Sequence, residues 1–332
     1  MQLSFLGTSS GTPTKQRNVT GITLQKHPKR WYLIDCGEGT QHQLLYSPLA
    51  IRHLTGIFIT HVHGDHCYGL PGLLASATLH ARIEPLLIVA PKAVNEWIQS
   101  TLQMSESHLS YEIEYLAIEA LKGSVSTADF EVEVIALSHR VPSWAFRFTE
   151  QAEAPATKLD HAKLMAEGIA AGAVWGQLQR GENVTIEKGR VLQAQDYLRV
   201  IPAKSPQAVI IGGDNDTPEL LAKHLQQVQL VVHEATYTQA IADKVGDIPM
   251  HSSAKRVAEF AEKYQVPNLI LTHFSARYSN DIAPIEDEAR QYYHGRLMIA
   301  DDFNTFRLEP DNLVYLAQEP EAKVSNVLEY EE

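Results

Sequence analysis

Residues 59–69 read ITHVHGDHCYG, and within them His61, His63, Asp65 and His66 form an H-x-H-x-D-H pattern. Neutral imidazole is a good ligand for zinc and similar divalent metals, and a carboxylate adds compensating charge. A lone histidine in such a loop reads as a solvated side chain. Here four donors crowd into six positions, and further donors follow: His139 in LSH, Asp214 in GGD and His273 in LTH. One loop cannot complete a metal's coordination, so the later residues would have to reach it in space. The chemistry this suggests is metal-assisted hydrolysis. Cys36 and Cys67 stand at no motif spacing and read as small packing residues.

The elements that must position these donors are legible as apolar runs bounded by turn residues. Strands are expected over 3–7, 19–24, 31–37, 54–61, 85–91, 113–118, 130–139, 144–149, 208–214, 230–236, 268–275 and 297–303. Helices are expected over 70–80, 92–105 and 252–264, the last with Val257, Phe260, Ala261 and Tyr264 on one face and Ser252 as its N-cap. His61, His139, Asp214, His233 and His273 then all fall at the ends of strands, where loops commonly carry chemistry. Strands mixed with helices in both halves mean an α/β or α+β layered fold.

The 332 residues are 44% hydrophobic and 20% charged, which supports a large core and excludes a disordered chain. Two cysteines exclude a disulfide framework. No apolar run approaches the roughly 20 residues of a membrane span, and the N-terminus lacks the features of a signal peptide, so a cytoplasmic protein is expected. The net charge of −12 argues against nucleic acid only globally, since phosphate binding needs a local positive patch. Residues 151–200 change texture, with scattered apolar positions, and read as an inserted segment of a short helix and turns. Between 152 and 200 six basic and six acidic residues balance. Residues 309–332 are expected to be an exposed acidic tail.

H-x-H-x-D-H after a strand, with isolated His, Asp and His at later strand ends, resembles the metallo-β-lactamase superfamily. That resemblance implies a four-layer αββα sandwich and two metals, usually zinc, with manganese or iron as alternatives. By the family pattern His61, His63 and His139 hold one metal, Asp65, His66 and His273 the other, and Asp214 bridges. Within the superfamily, FLGTSSGTPTKQRN (5–18), DCGEGTQHQLL (35–45), HEATY (233–237), HSS (251–253) and LTHFSARY (271–278) together resemble ribonuclease Z, the endonuclease that trims the 3′ end of precursor tRNA.

That family resemblance carries further expectations. It makes 1–308 the catalytic domain and the 151–200 insert an arm that grips tRNA, although the arm's usual Gly-Pro pair is Gly172-Ala173 here. It implies that Glu234 orients His251, which donates a proton to the leaving oxygen, and that Asp65 also assists the nucleophilic water. Lys15, Arg17, Asn18 and Arg277 become candidate RNA contacts. It also implies a homodimer in which one subunit's arm serves the other's site. The competing reading is a small-molecule phosphodiesterase or thioesterase on the same scaffold.

Overall fold

In a computed structural model, which describes residues 1–309 and 312–316, the apolar runs become strands of two sheets. The first has eight strands in the order Asn312–Leu316, Thr305–Glu309, Gln2–Gly7, Gly21–His27, Arg30–Ile34, Leu54–Phe58, Leu86–Ala90 and Ile113–Ala117. Its last four are parallel to one another. The second has seven, in the order Arg296–Ile299, Asn268–Thr272, Leu230–Glu234, Ala208–Gly212, Ser143–Glu150, Phe130–Leu137 and Val125–Ser126. Its first four are parallel, and the strands flanking RVPS pair as an antiparallel hairpin from Ser143↔Leu137 to Glu150↔Phe130.

Parallel strands covered on both faces read as unbroken apolar runs, and successive side chains serve opposite faces. Phe58 points inward to meet Phe146 and Phe148 of the other sheet, at ring separations of 5.3 and 5.0 Å. Its neighbour Ile57 points outward, into the cluster with Leu73, Leu74, Val94 and Ile98. These come from helices Leu70–Leu79 and Lys92–Met104. Helices Ala254–Lys263 and Ala283–Tyr292 cover the second sheet through Val257, Phe260 and Ile285. The layers are therefore αββα, as the resemblance implies. Truncating Phe58 to alanine at the centre of the sandwich should cost about 3–5 kcal/mol.

Three local expectations need correction. The acidic tail does not begin at 309: Asn312–Leu316 pairs with Thr305–Glu309 as an edge strand, and Leu313 is buried in the inter-sheet core. The polar character of the surrounding segment masks that single anchor, and the rest of the expected tail, 317–332, lies outside the described residues. The N-cap of the 254–263 helix is Ser253, whose hydroxyl accepts from the Arg256 N–H at 3.1 Å, and not Ser252. The inserted segment is a compact unit over Gln151–Pro206, six residues longer than expected and more ordered than turns.

That unit has its own core of Leu164, Leu178, Leu192 and Tyr197, two helices, His161–Ala166 and Ala173–Gln179, and two short antiparallel strand pairs. Asp160 pairs with Arg199 and Glu167 with Arg190, so part of its balanced charge is consumed internally. No described helix is long and apolar enough to cross a membrane.

Candidate metal centre

The parallel strands end where the donors begin. Leu54–Phe58 runs into His61 and His63, and a one-turn helix, Gly64–Cys67, carries Asp65 and His66. Ala208–Gly212 leads to Asp214, and Asn268–Thr272 leads to His273. Two glycines allow the close approach. A Cβ at Gly37 would lie 2.4 Å from the Asp65 carbonyl oxygen, and one at Gly213 would lie 2.6 Å from the Thr60 Cβ. Asp35, Met250 and His273 adopt left-handed backbone with φ of 58°, 53° and 58°. Such conformations cost free energy for non-glycine residues and concentrate at functional sites.

The structure brings the seven expected metal-site residues into two adjoining sets. In the first, His61 Nε2 and His139 Nε2 lie 3.1 and 3.2 Å from His63 Nδ1, and each is 3.6 Å from Asp214 Oδ2. In the second, His66 Nε2 and His273 Nε2 are 3.2 Å apart and 3.5 and 3.4 Å from Asp65 Oδ2. Each is also 3.3 Å from Asp214 Oδ1. One carboxylate thus offers one oxygen to each set. Ligands at the usual zinc distances of ~2.0–2.1 Å from a tetrahedral centre are separated by about 3.3–3.4 Å, so these spacings fit coordination edges. The donor chemistry and geometry suit a pair of divalent ions.

In four of the five histidines the opposite ring nitrogen is held as metal-ligating histidines require. His61 Nδ1 meets Thr60 Oγ1 at 3.0 Å, His66 Nδ1 meets Asp35 Oδ2 at 2.7 Å, and His273 Nδ1 meets Thr236 Oγ1 at 3.2 Å. His139 Nδ1 donates to the Met250 carbonyl at 3.0 Å. Asp35 is fully engaged, accepting also from the Thr60 N–H at 2.7 Å and hydroxyl at 2.8 Å. It was missed in the sequence, although it stands at the end of a buried strand just as Asp214 does. Burial opposes charge on His66, but Asp214, Asp65 and Asp35 outweigh it and raise its pKa well above the ordinary value. Burial would raise Asp214, yet His273, His66 and His61 hold it well below the carboxylate range. Asp65 is likewise lowered, against burial, chiefly by His66, and it accepts the Gly11 N–H at 2.7 Å.

Beside these sets lies a carboxylate–imidazole pair. His251 Nδ1 is 2.9 Å from Glu234 Oε1, and Thr236 donates to the other Glu234 oxygen. Burial lowers the His251 pKa, but the Glu234 carboxylate prevails and pushes it up to about 9. His251 also falls near Asp214 and His273, but its Nδ1 is committed to Glu234, which leaves Nε2 as its free donor. His233 stays outside both sets. It is buried between Asn215 and the Glu234 carbonyl.

The candidate RNA contacts divide. Arg17 is 7% exposed, and its guanidinium donates to Thr8 Oγ1 at 2.6 Å and the Ala300 carbonyl at 2.9 Å, pairs with Asp301 and lies over Phe274. It braces the loop instead of facing solvent. The Asn18 side-chain nitrogen donates to the Val19 and Glu38 carbonyls, and its backbone carbonyl accepts from the Thr8 and Ser9 N–H groups. Arg17 and Asn18 are thus engaged within the protein itself, and a basic or polar residue in a glycine-rich stretch does not announce which backbone groups it must satisfy. Lys15 and Arg277 are exposed, and Arg277 lies 5.9 Å over the Tyr237 ring.

Facing sheets between helical layers, with a His/Asp cluster at the carboxyl ends of their strands, define a metallo-β-lactamase-fold protein. The structure is similar to the metallo-β-lactamase fold protein YhfI from Bacillus subtilis, with a TM-score of 0.64 at 15% identity over 92% of this chain and 97% of that one. Human tRNase Z, short form, aligns with a TM-score of 0.62 at 25% identity, over 93% of this chain and 100% of that one. Residues 1–165 match the family model described as anti-Pycsar protein Apyc1. Ribonuclease Z of Marinobacter nauticus is 48% identical over 318 residues, covering 94% of this chain and 97% of that protein. The chain belongs to the ribonuclease Z family.

Proposed function

We infer that this protein is a metal-dependent endoribonuclease that removes the 3′ trailer from precursor tRNA by hydrolysing one phosphodiester, leaving a tRNA 3′-hydroxyl. The observation that carries the reading is Asp214, whose two oxygens face two donor sets beside the His251–Glu234 pair. His61, His63 and His139 would hold one ion and Asp65, His66 and His273 the other, with Asp214 shared. The imidazole-rich sets favour two zinc ions per subunit, with manganese or iron as substitutes. Bound divalent ions supply charge stabilisation at the phosphate and make a water acidic enough to attack it.

The chain's own residues do the rest. Glu234 holds Nδ1–H of His251 and stabilises the imidazolium, so Nε2 also carries a proton. As the bond between phosphorus and the 3′ oxygen breaks, His251 transfers that proton to the leaving oxygen. Asp65, kept ionised, acts as ligand and as acceptor for the attacking water, and its depressed pKa makes it a weak base. Lys15 and Arg277 are exposed cations suited to trailer or acceptor-stem phosphates. The Gln151–Pro206 unit is the arm that grips tRNA, in a cytoplasmic homodimer whose arms serve opposite sites; sedimentation analysis tests the dimer. The small-molecule phosphodiesterase or thioesterase reading is not favoured, because relatives matching nearly the whole chain are named ribonuclease Z.

The test is cleavage of a precursor tRNA carrying a 3′ trailer by metal-loaded protein, beside bis-p-nitrophenyl phosphate. A cut at the acceptor-stem end leaving a 3′-hydroxyl supports the assignment. Hydrolysis of the small diester with intact tRNA refutes it.

A further inference from the structure

Asn215 follows the shared carboxylate of Asp214, is fully buried, and uses all four of its polar groups. Its backbone N–H donates to Glu234 Oε1 at 2.8 Å, the same oxygen that holds His251. Its backbone carbonyl accepts from the Ser252 hydroxyl at 2.6 Å. Its side-chain oxygen accepts from the Ser138 and Thr217 N–H groups, both at 3.2 Å. Its side-chain nitrogen donates to His233 Nε2 at 3.1 Å.

The orientation of this amide is determined by its neighbours. Two backbone N–H groups can only be met by the amide oxygen. His233 Nδ1 donates to the Glu234 carbonyl at 2.8 Å, so a neutral ring presents Nε2 as an acceptor to the amide nitrogen. Burial lowers the His233 pKa and favours that neutral ring. Both side-chain polar atoms of Asn215 are thereby partnered.

The partners stand next to the working residues: Ser138 precedes His139, His233 precedes Glu234, and Ser252 follows His251. We propose that Asn215 is the positioning residue of the proton-donating pair, locking Glu234 and His251 onto the loop that carries the shared carboxylate. This rests on the reading of His251 as general acid. The side chain touches neither substrate nor reacting atoms. It holds the 214–217 loop, and that loop's backbone fixes one side of Glu234 and the residue beside His251. Without it four of the ligand histidines keep their own partners, Thr60, Asp35, Thr236 and the Met250 carbonyl, while His251 loses its fixed aim.

A general acid matters for a poor leaving group such as a ribose oxygen and little for p-nitrophenolate. The experiment therefore compares single-turnover cleavage of precursor tRNA at saturating enzyme with hydrolysis of bis-p-nitrophenyl phosphate. It uses Asn215→Ala, Ser252→Ala, His251→Ala and the double variants with His251→Ala. Metal content is measured for each. The Asn215→Ala loss on tRNA should exceed its loss on the aryl diester by about tenfold, and Ser252→Ala by about threefold, the scale of one or two buried hydrogen bonds. Metal content should match wild type, and neither change should add to the loss of His251→Ala.

Equal losses on both substrates, loss of metal, or additive doubles overturn the proposal. If Asn215→Ala does not fold, Ser252→Ala, which removes a single bond, decides by the same criteria. If His251→Ala shows no substrate preference, the general-acid reading fails and this inference falls with it. If only His251→Ala shows the preference, the general acid stands and the role of Asn215 is refuted.

Discussion

Replacing Glu234 by glutamine keeps the side chain's shape and removes its charge. His251 is 12% exposed at its side chain, and burial alone would lower its pKa; the Glu234 carboxylate is the main influence that instead raises it to about 9. Without that charge the value should fall to the ordinary imidazole range near 6.5 or below, a difference of about 2.5 units, or about 3.4 kcal/mol. A general acid works only while protonated. At pH 8 the protonated fraction falls from about 90% to about 3%, a loss of roughly 30-fold, whereas at pH 6 it changes by only about 1.3-fold.

The sign follows directly: a raised imidazole pKa sustains activity up to high pH, and the variant's alkaline limb must move down. Bound cations lower both proteins' values alike, so the separation of the limbs carries the test. The assay is single-turnover precursor-tRNA cleavage from pH 5.5 to 9.5, with metal content checked at each end. A uniform loss across that range would falsify the pairing, because it would mean Glu234 acts on packing or metal and not on the proton of His251.

Asp214→Ala should lose metal and activity together, measured by elemental analysis and diester hydrolysis; two ions retained per chain would sink the shared-carboxylate assignment. Excision of Gln151–Pro206 should be tolerated, because the Glu150 N–H already bonds the Gln207 carbonyl at 2.9 Å and a short turn can join these ends. The excised protein should hydrolyse bis-p-nitrophenyl phosphate and fail on precursor tRNA; equal loss of both would make the unit structural. Arg17→Ala should lower stability by about 1–3 kcal/mol through its abandoned buried partners, whereas Lys15→Ala should leave the melting temperature unchanged and weaken tRNA binding. The opposite pattern in denaturation and binding assays would return Arg17 to the RNA interface.

The donors of the metal centre were legible because chemistry restricts residue type. Few roles explain H-x-H-x-D-H; Asp214 and His273 each close an apolar run that reads as a buried strand, and His139 closes one that alternates. Runs such as LTGIFITH and NLILTH must be covered on both faces, which made a layered fold legible; the αββα order came from the family resemblance. What the tertiary structure alone decided was how polar groups pair across the chain. Arg17 looks like a solvated cation until Thr8, Ala300 and Asp301 surround it. Ser252 reads as the helix cap until its hydroxyl goes to the Asn215 carbonyl and Ser253 caps the helix instead. The strand at 312–316 depends on Leu313 finding the inter-sheet core. Hydrophobic period and metal-ligand type are local properties written in residue order, whereas a hydrogen-bond partner 37 or 283 positions away exists only once the sheets have brought the loops together.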